Sequence, residues 1–164
     1  MKCIECGNVM VSRRENRRYT AGGLPQVVLL GVEVRRCAEC GAEETAIPRI
    51  EQLHRVIAQA LLHKPARLAG PEVRFLRKYL GLSTTDFASR MGTARETVSR
   101  WERAILPIGP QADRLLRLLV ARTAPVKDYS SEDLSRIQNP RTKPTPARLN
   151  LAVSSKGWQQ VKAA

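Results

Sequence analysis

Cys3-Ile4-Glu5-Cys6-Gly7 and Cys37-Ala38-Glu39-Cys40-Gly41 are two copies of one short pattern, and together they hold all four cysteines of the 164-residue chain. Two thiolates separated by two residues reach one metal ion from a single tight turn, and two such turns complete a tetrahedral shell. The glycine after each second cysteine suits a knuckle whose closing residue needs φ > 0. The pattern predicts one structural zinc ion per chain, bound by Cys3, Cys6, Cys37 and Cys40 in a closed shell. A redox Cys-x-x-Cys would open a helix within a βαβ unit, whereas here one pair sits two residues from the start and the other follows a strand. Nothing at the N-terminus resembles a signal peptide, so the chain is expected to be cytoplasmic, where cysteine pairs bind metal rather than each other. His54 and His63 are surplus to the shell and read as ordinary helix histidines.

Between the knuckles the sequence reads as β. Arg17 to Thr20 is extended, Ala21-Gly22-Gly23-Leu24-Pro25 is turn chemistry, and Gln26 to Arg36 carries Val28, Leu30, Val32 and Val34 at period two. The expectation is a hairpin that leaves the metal and returns to it, with too little apolar surface to fold well without the ion. From Pro48 onward, Ile50, Leu53, Ile57 and Leu61 recur at helical spacing up to Lys64-Pro65, which predicts a connector helix.

A second pattern begins at Gly70. Pro71 opens a helix with Val73, Leu76 and Leu80 inward, and Gly81 ends it. Ser83-Thr84-Thr85-Asp86 is a capping box for a short helix with Phe87, Ala88 and Met91 inward, and Gly92 turns the chain. Thr93-Ala94-Arg95-Glu96 reads as a second capping box, starting a helix through Arg103. Two short helices joined by a glycine turn within a larger helical set predict a helix-turn-helix. On the last helix Val98 and Trp101 fall on the docking side, and Glu96, Ser99 and Arg103 on the displayed side, flanked by Arg95 and Arg100. Arginine can pair with guanine O6 and N7 in a major groove, and serine can bond several base edges. The predicted DNA-contacting set is Thr84, Thr93, Arg95, Glu96, Thr97, Ser99 and Arg100. Thr84 is placed as a phosphate contact, and Glu96 is read first as a cap for Thr93 and second as an acceptor from cytosine N4.

Leu80-Gly81-Leu82-Ser83, Phe87-Ala88-Ser89-Arg90-Met91-Gly92, Thr97-Val98-Ser99-Arg100-Trp101-Glu102, then Pro107 and Leu115-Leu116-Arg117-Leu118-Leu119, resemble the Cro/repressor (XRE-type) helix-turn-helix family. With the two knuckles in front, the order from Cys3 to about Val120 is similar to the MqsA-type antitoxins, also described as YgiT-type zinc-finger proteins. The resemblance implies a zinc-bearing N-terminal domain that engages a toxin, usually an mRNA-cleaving ribonuclease, and a C-terminal domain that dimerises and represses its own operon. It also implies base reading by Glu96 and Arg100, with Arg95 and Ser99 beside them. The family often carries asparagine where this chain has Glu96, which implies a different operator.

Charge and composition fill in the rest. The chain carries 28 basic and 15 acidic side chains, a formal +13. Residues 1–64 hold 10 basic against 7 acidic groups, 65–125 hold 11 against 5, and 126–164 hold 7 against 3, so the excess peaks in the helical segment, as a polyanion-binding region would require. The predicted fold class is α+β: a small four-cysteine zinc-binding β-hairpin domain with connector helix (1–64), an all-α helix-turn-helix domain (65–125), and a partly flexible C-terminal tail (126–164) in which Leu149 to Val153 and Trp158 suit a late strand or docking segment. Leucines 115, 116, 118 and 119 with Val120 exceed one core stripe, which predicts a homodimer reading a palindromic double-stranded operator. No catalytic constellation is visible, since the cysteines are committed to metal and neither histidine has an evident nucleophile partner. No run is long and apolar enough for a bilayer. Two alternatives remain at this stage: a zinc-containing transcription regulator with no toxin partner, and a zinc-ribbon adaptor that binds protein or RNA.

Overall fold

Strand formation begins directly after the first knuckle. In the computed structural model, which describes residues 1–123, 129–139 and 142–162, β1 (Met10–Arg18) pairs antiparallel with β2 (Val27–Cys37), Met10 facing Cys37 and Arg18 facing Val28. The sequence reading started this strand at Arg17, seven residues late. β1 lacks apolar alternation because polar cross-strand pairs hold it: Ser12 Oγ donates to Glu33 at 2.7 Å, and the Arg36 guanidinium bridges Glu15 at 2.8 Å and Glu43 at 2.7 Å.

The period-two reading of Val28 and Leu30 also fails, for a geometric reason. Glu15 faces Val32 but Arg17 faces Leu29, so Leu30 and Gly31 together oppose Asn16. Gly31 takes φ 62° and donates its N–H to Asn16 Oδ1 at 3.0 Å. Such a bulge inserts one residue and swaps the face that the following side chains meet. Val27 and Leu29 before it are therefore buried together with Val32 and Val34 after it, while Val28 and Leu30 are left half-buried.

The other edge of β2 is shared. β3 (Glu43–Ala46), which the sequence did not reveal, pairs antiparallel along Glu33 to Arg36. β4 (Leu149–Ser154) pairs in parallel along Val27 to Leu30, and β5 (Gly157–Val161) returns antiparallel to β4. The sheet reads β1-β2-β4-β5 with β3 beside β2, so the late strand expected near Leu149 forms and joins the sheet built by the N-terminus.

Among the described residues the helices are α1 (Ile50–Leu62), α2 (Gly70–Tyr79), α3 (Thr84–Met91), α4 (Arg95–Glu102) and α5 (Pro110–Thr123), with a short α6 (Ser131–Ser135) in the segment that the sequence reads as tail. α1 touches β5, α2 and α5. One core runs from Val27, Leu29, Leu151 and Trp158 of the sheet, through Leu53, Ile57 and Leu61 of α1, to Leu76, Phe87, Val98 and Leu116. Trp158 Nε1 donates to Pro48 O at 2.6 Å, fastening β5 to the start of α1.

Two buried charges join distant segments. Glu72 accepts from Ala69 N, Ala147 N and Lys64 Nζ, each at 2.6 Å. Arg117 donates to Asp113 at 2.9 Å and to the carbonyls of Leu61, Leu62, Lys64 and Ala66, closing the open end of α1. The domain boundary expected at 125/126 and the tail residue Pro140 lie outside the described residues. Among the described residues no helix is long and apolar enough to cross a membrane.

Candidate metal centre and candidate nucleic-acid interface

The two knuckles are built alike. Gly7 N donates to Cys3 O at 2.9 Å and Cys3 N to Asn8 O at 2.7 Å; Gly41 N donates to Cys37 O at 3.1 Å and Cys37 N to Ala42 O at 2.9 Å. Gly7 and Gly41 close the turns at φ 75° and 72°. Pairing of Met10 with Cys37 sets the knuckles side by side, and the four sulfurs lie within 4.8 Å of one another. Cys3 Sγ is 3.6 Å from Cys40 Sγ, and Cys6 Sγ is 3.4 Å from Cys37 Sγ. A tetrahedral ion with metal–sulfur bonds of about 2.3 Å needs sulfurs about 3.8 Å apart, so small adjustments would seat one.

The electrostatics also suit a cation. The Cys40 N–H, then the Cys6 thiol, hold the Cys37 thiol down at about 7. At Cys40 the Ala42 N–H pulls downward, but the thiols of Cys6, Cys3 and Cys37, with burial, outweigh it and push the group up to about 12. Each thiolate opposes the next until a positive ion compensates them. Asn8, which the sequence reading did not single out, donates from Nδ2 to Cys6 Sγ at 3.6 Å and would orient that ligand. The histidines lie elsewhere: His54 Nε2 is 2.6 Å from Tyr19 OH, and His63 Nδ1 is 2.9 Å from Gln59 O.

The second candidate surface is the outer side of α3 and α4. Ser83 caps α3 by accepting from Asp86 N at 3.1 Å, and Gly92 ends the helix in the left-handed region. The cap expected at Thr93 is absent. The N-cap of α4 is Ala94, which offers no side-chain acceptor, and the helix starts at Arg95. The capping role read for Glu96 is therefore incorrect, and its carboxylate is exposed. Arg95 and Arg100 are exposed too; Thr84, Thr93, Thr97 and Ser99 are half-buried. The side chains of Arg95, Glu96 and Arg100 make no hydrogen bond or ion pair among the described residues.

What lies beneath fixes this helix. Val98 and Trp101 are buried, and the Arg77 guanidinium grips Glu102 at 2.5 and 3.1 Å while also donating to Leu82 O at 2.8 Å. Gly70 sits under its last turn, where a Cβ would come within 2.5 Å of Trp101 O. Beyond it Ile105, Leu106, Leu115 and Leu118 are exposed, while Leu116 and Val120 are buried. The Arg13-Arg14 and Arg17-Arg18 doublets on β1 were visible in the sequence but not singled out.

Comparison of the chain with family models, with curated proteins and with solved structures finds no match.

Proposed function

We propose that the chain is a zinc-stabilised, DNA-binding autorepressor of the antitoxin type, acting by binding rather than by catalysis. The observation that carries the DNA half is the composition of the displayed face of α4. Two arginines and a glutamate stand unpaired on a short helix locked from below by Trp101, Val98 and the Arg77–Glu102 clamp. A rigid helix presenting free guanidiniums beside small polar side chains suits a major groove, with arginine on guanine and, now that capping does not occupy it, Glu96 on cytosine N4. The apolar ridge of Leu115 and Leu118 with Ile105 and Leu106 supports a two-fold pairing of copies, which would bring two such helices to a palindromic site. Four crowded thiols in matched knuckles support zinc as the metal. The toxin half, binding of a ribonuclease by the cysteine-bearing part, rests on the resemblance to the MqsA-type antitoxins.

The test is a titration of the full chain and of Arg95→Ala, Arg100→Ala and Thr84→Ala against the promoter of its own operon and a scrambled duplex, at two salt concentrations. Either arginine variant is expected to lose about 1–3 kcal/mol of discrimination, and Thr84→Ala to weaken both duplexes alike. Affinity should fall on the order of a thousandfold between about 50 and 200 mM salt. Operator binding unchanged in both arginine variants would remove α4 from the interface. A wild type that prefers neither duplex would end the repressor reading.

A further inference from the structure

β1 is an edge strand of nine residues, paired on one side with β2; on the other, Met1 O accepts from Met10 N at 3.1 Å beside a Lys2–Val9 bridge, and from Val11 onward no strand among the described residues covers it. Such an edge presents a row of free N–H and C=O groups to any strand that approaches. Its side chains make it selective. Register puts Arg13 opposite Val34, on the face that carries the core, whereas Arg14 opposite Glu33 and Arg18 opposite Val28 lie on the other face. All three are exposed and make no ion pair among the described residues, although Arg13 acts on Glu15 and Arg14 on Glu33 at longer range, while Arg17 is taken by Glu43 and Glu15, and Glu15 in turn by Arg36. Positive charge thus flanks the edge from both sides of the sheet.

That distribution decides the occupant. A nucleic-acid backbone lying on one face would reach only part of the charge, and β1 offers no aromatic ring for base stacking. A second copy of β1 would set arginines against arginines. An added strand carrying acidic side chains on both of its faces meets the guanidiniums on both. At the knuckle end, Val11, Arg13, Arg36 and Ala38 line a cleft of about 290 Å³ open to a side chain of such a strand, and Val9 and Val11 stand 73% and 55% exposed beside it. We infer that β1 is the docking edge for an acidic β-strand of a partner protein, which extends the sheet next to the cysteine centre. The inference rests on the partner-binding half of the function proposed above and names the surface and the partner's chemistry.

The probe is a blocked ten-residue peptide of threonine and valine carrying two Glu-Glu doublets at the spacing of the arginine doublets. It is added to isotope-labelled, metal-loaded full-length protein, and amide shifts and hydrogen exchange are read residue by residue. The expected result is shift and protection concentrated in residues 10–18, lost with a Lys-Lys version of the peptide and with a backbone N-methylated version. Arg13→Glu and Arg18→Glu, both at exposed positions, should each weaken binding about tenfold. Equal binding of the N-methylated peptide would mean charge adsorption only and would overturn strand addition. So would shifts centred on α4, no shift at millimolar peptide, or a single-stranded oligonucleotide perturbing β1 more strongly than the acidic peptide. Should the chain still co-elute with the neighbouring gene's product while β1 ignores the peptide, the docking edge is wrong and the partner reading survives; operator binding is independent of either outcome.

Discussion

In the hairpin, Arg36 links Glu15 and Glu43 on a half-exposed surface; in the helical half, Arg117 is fully buried with Asp113 and four backbone carbonyls. Surface ion pairs of the first kind contribute between nothing and about 1 kcal/mol each, whereas breaking a buried network of the second kind is strongly destabilising. The contrast continues along the chain. The knuckle end buries Cys3 and Cys37 but leaves Met1, Ile4, Val9 and Val11 exposed, so little apolar burial holds it. In the helical half Phe87, Leu76, Val98 and Leu116 close a continuous core. One end of the molecule carries a four-cysteine cluster that could hold a metal where packing is thin, and the other is closed by packing.

Removing the ion should therefore produce the largest effect and a local one. Structural zinc contributes on the order of 10 kcal/mol to isolated finger peptides, and the knuckle end has no comparable reserve. With a chelator, or in Cys37→Ser, hydrogen-exchange protection should vanish over residues 1–12 and 33–44 and persist in α2, α4 and α5. Metal analysis of the untreated protein should return one zinc per chain. Equal loss in the helices would show a single cooperative unit and break the comparison.

Arg117→Met probes the other end. It leaves the Asp113 carboxylate with only the Leu68 N–H and takes the guanidinium donor from the carbonyls of Leu62, Lys64 and Ala66, an expected loss of about 3–5 kcal/mol in urea denaturation with zinc content unchanged. A loss under about 1 kcal/mol would place Arg117 with the surface pairs.

How much of this was legible follows from the same contrast. The cysteines announce themselves because a metal shell needs particular residue types at short spacing, and the helices because their apolar residues recur at helical period. β1 stayed hidden behind Ser12, Arg14 and Glu15, since a strand held by polar cross-strand pairs leaves no alternation. The Gly31 bulge was invisible because one glycine among valines does not say that faces exchange there. Pairing of β4 with β2 joins residues more than a hundred positions apart, which no local pattern encodes. Glu72, Asp113 and Arg117 carry no local pattern that marks them as buried, and only the fold shows what they satisfy. The Thr93 box failed because Ala94, with no side-chain acceptor, took the cap position.

Two glycines sharpen the contrast at smaller scale. Gly31 needs its dihedral: a Cβ there would meet nothing within 4 Å, so Gly31→Ala should cost only the left-handed strain, about 1 kcal/mol. Gly70 needs its space: a Cβ would lie 2.5 Å from Trp101 O and 2.9 Å from Ala104 N, both backbone. Gly70→Ala should cost about 1–3 kcal/mol and also weaken operator binding, because relief requires α4 to move. Denaturation and duplex titration of the two variants measure this. Matching effects on DNA would contradict the separation of roles.

The smallest expected effect lies where the two regions meet. Tyr19, just past the end of β1, holds its hydroxyl 2.6 Å from His54 Nε2 of α1, and the His54 ring stands edge-on to Phe75 of α2 at 5.7 Å. Burial lowers the His54 pKa and raises that of Tyr19, and no carboxylate contributes to either shift. With the folded pKa below the unfolded value of about 6.5, the neutral ring is favoured in the fold. Its contribution is complete above that pH and is lost as pH falls through the folded value. The lowered carboxylates Glu15, Glu33 and Glu43 act in the same direction, but only below their ordinary 4.5. Acid also weakens thiolate–metal binding, so the measurement is a difference: denaturation midpoints of wild type and His54→Gln between about pH 7 and 5. Wild type should lose stability more steeply over that window, while Tyr19→Phe should drop by about 1 kcal/mol and keep most of the slope. Parallel curves for wild type and His54→Gln would leave the junction held by packing alone, the acid response then belonging to the metal end.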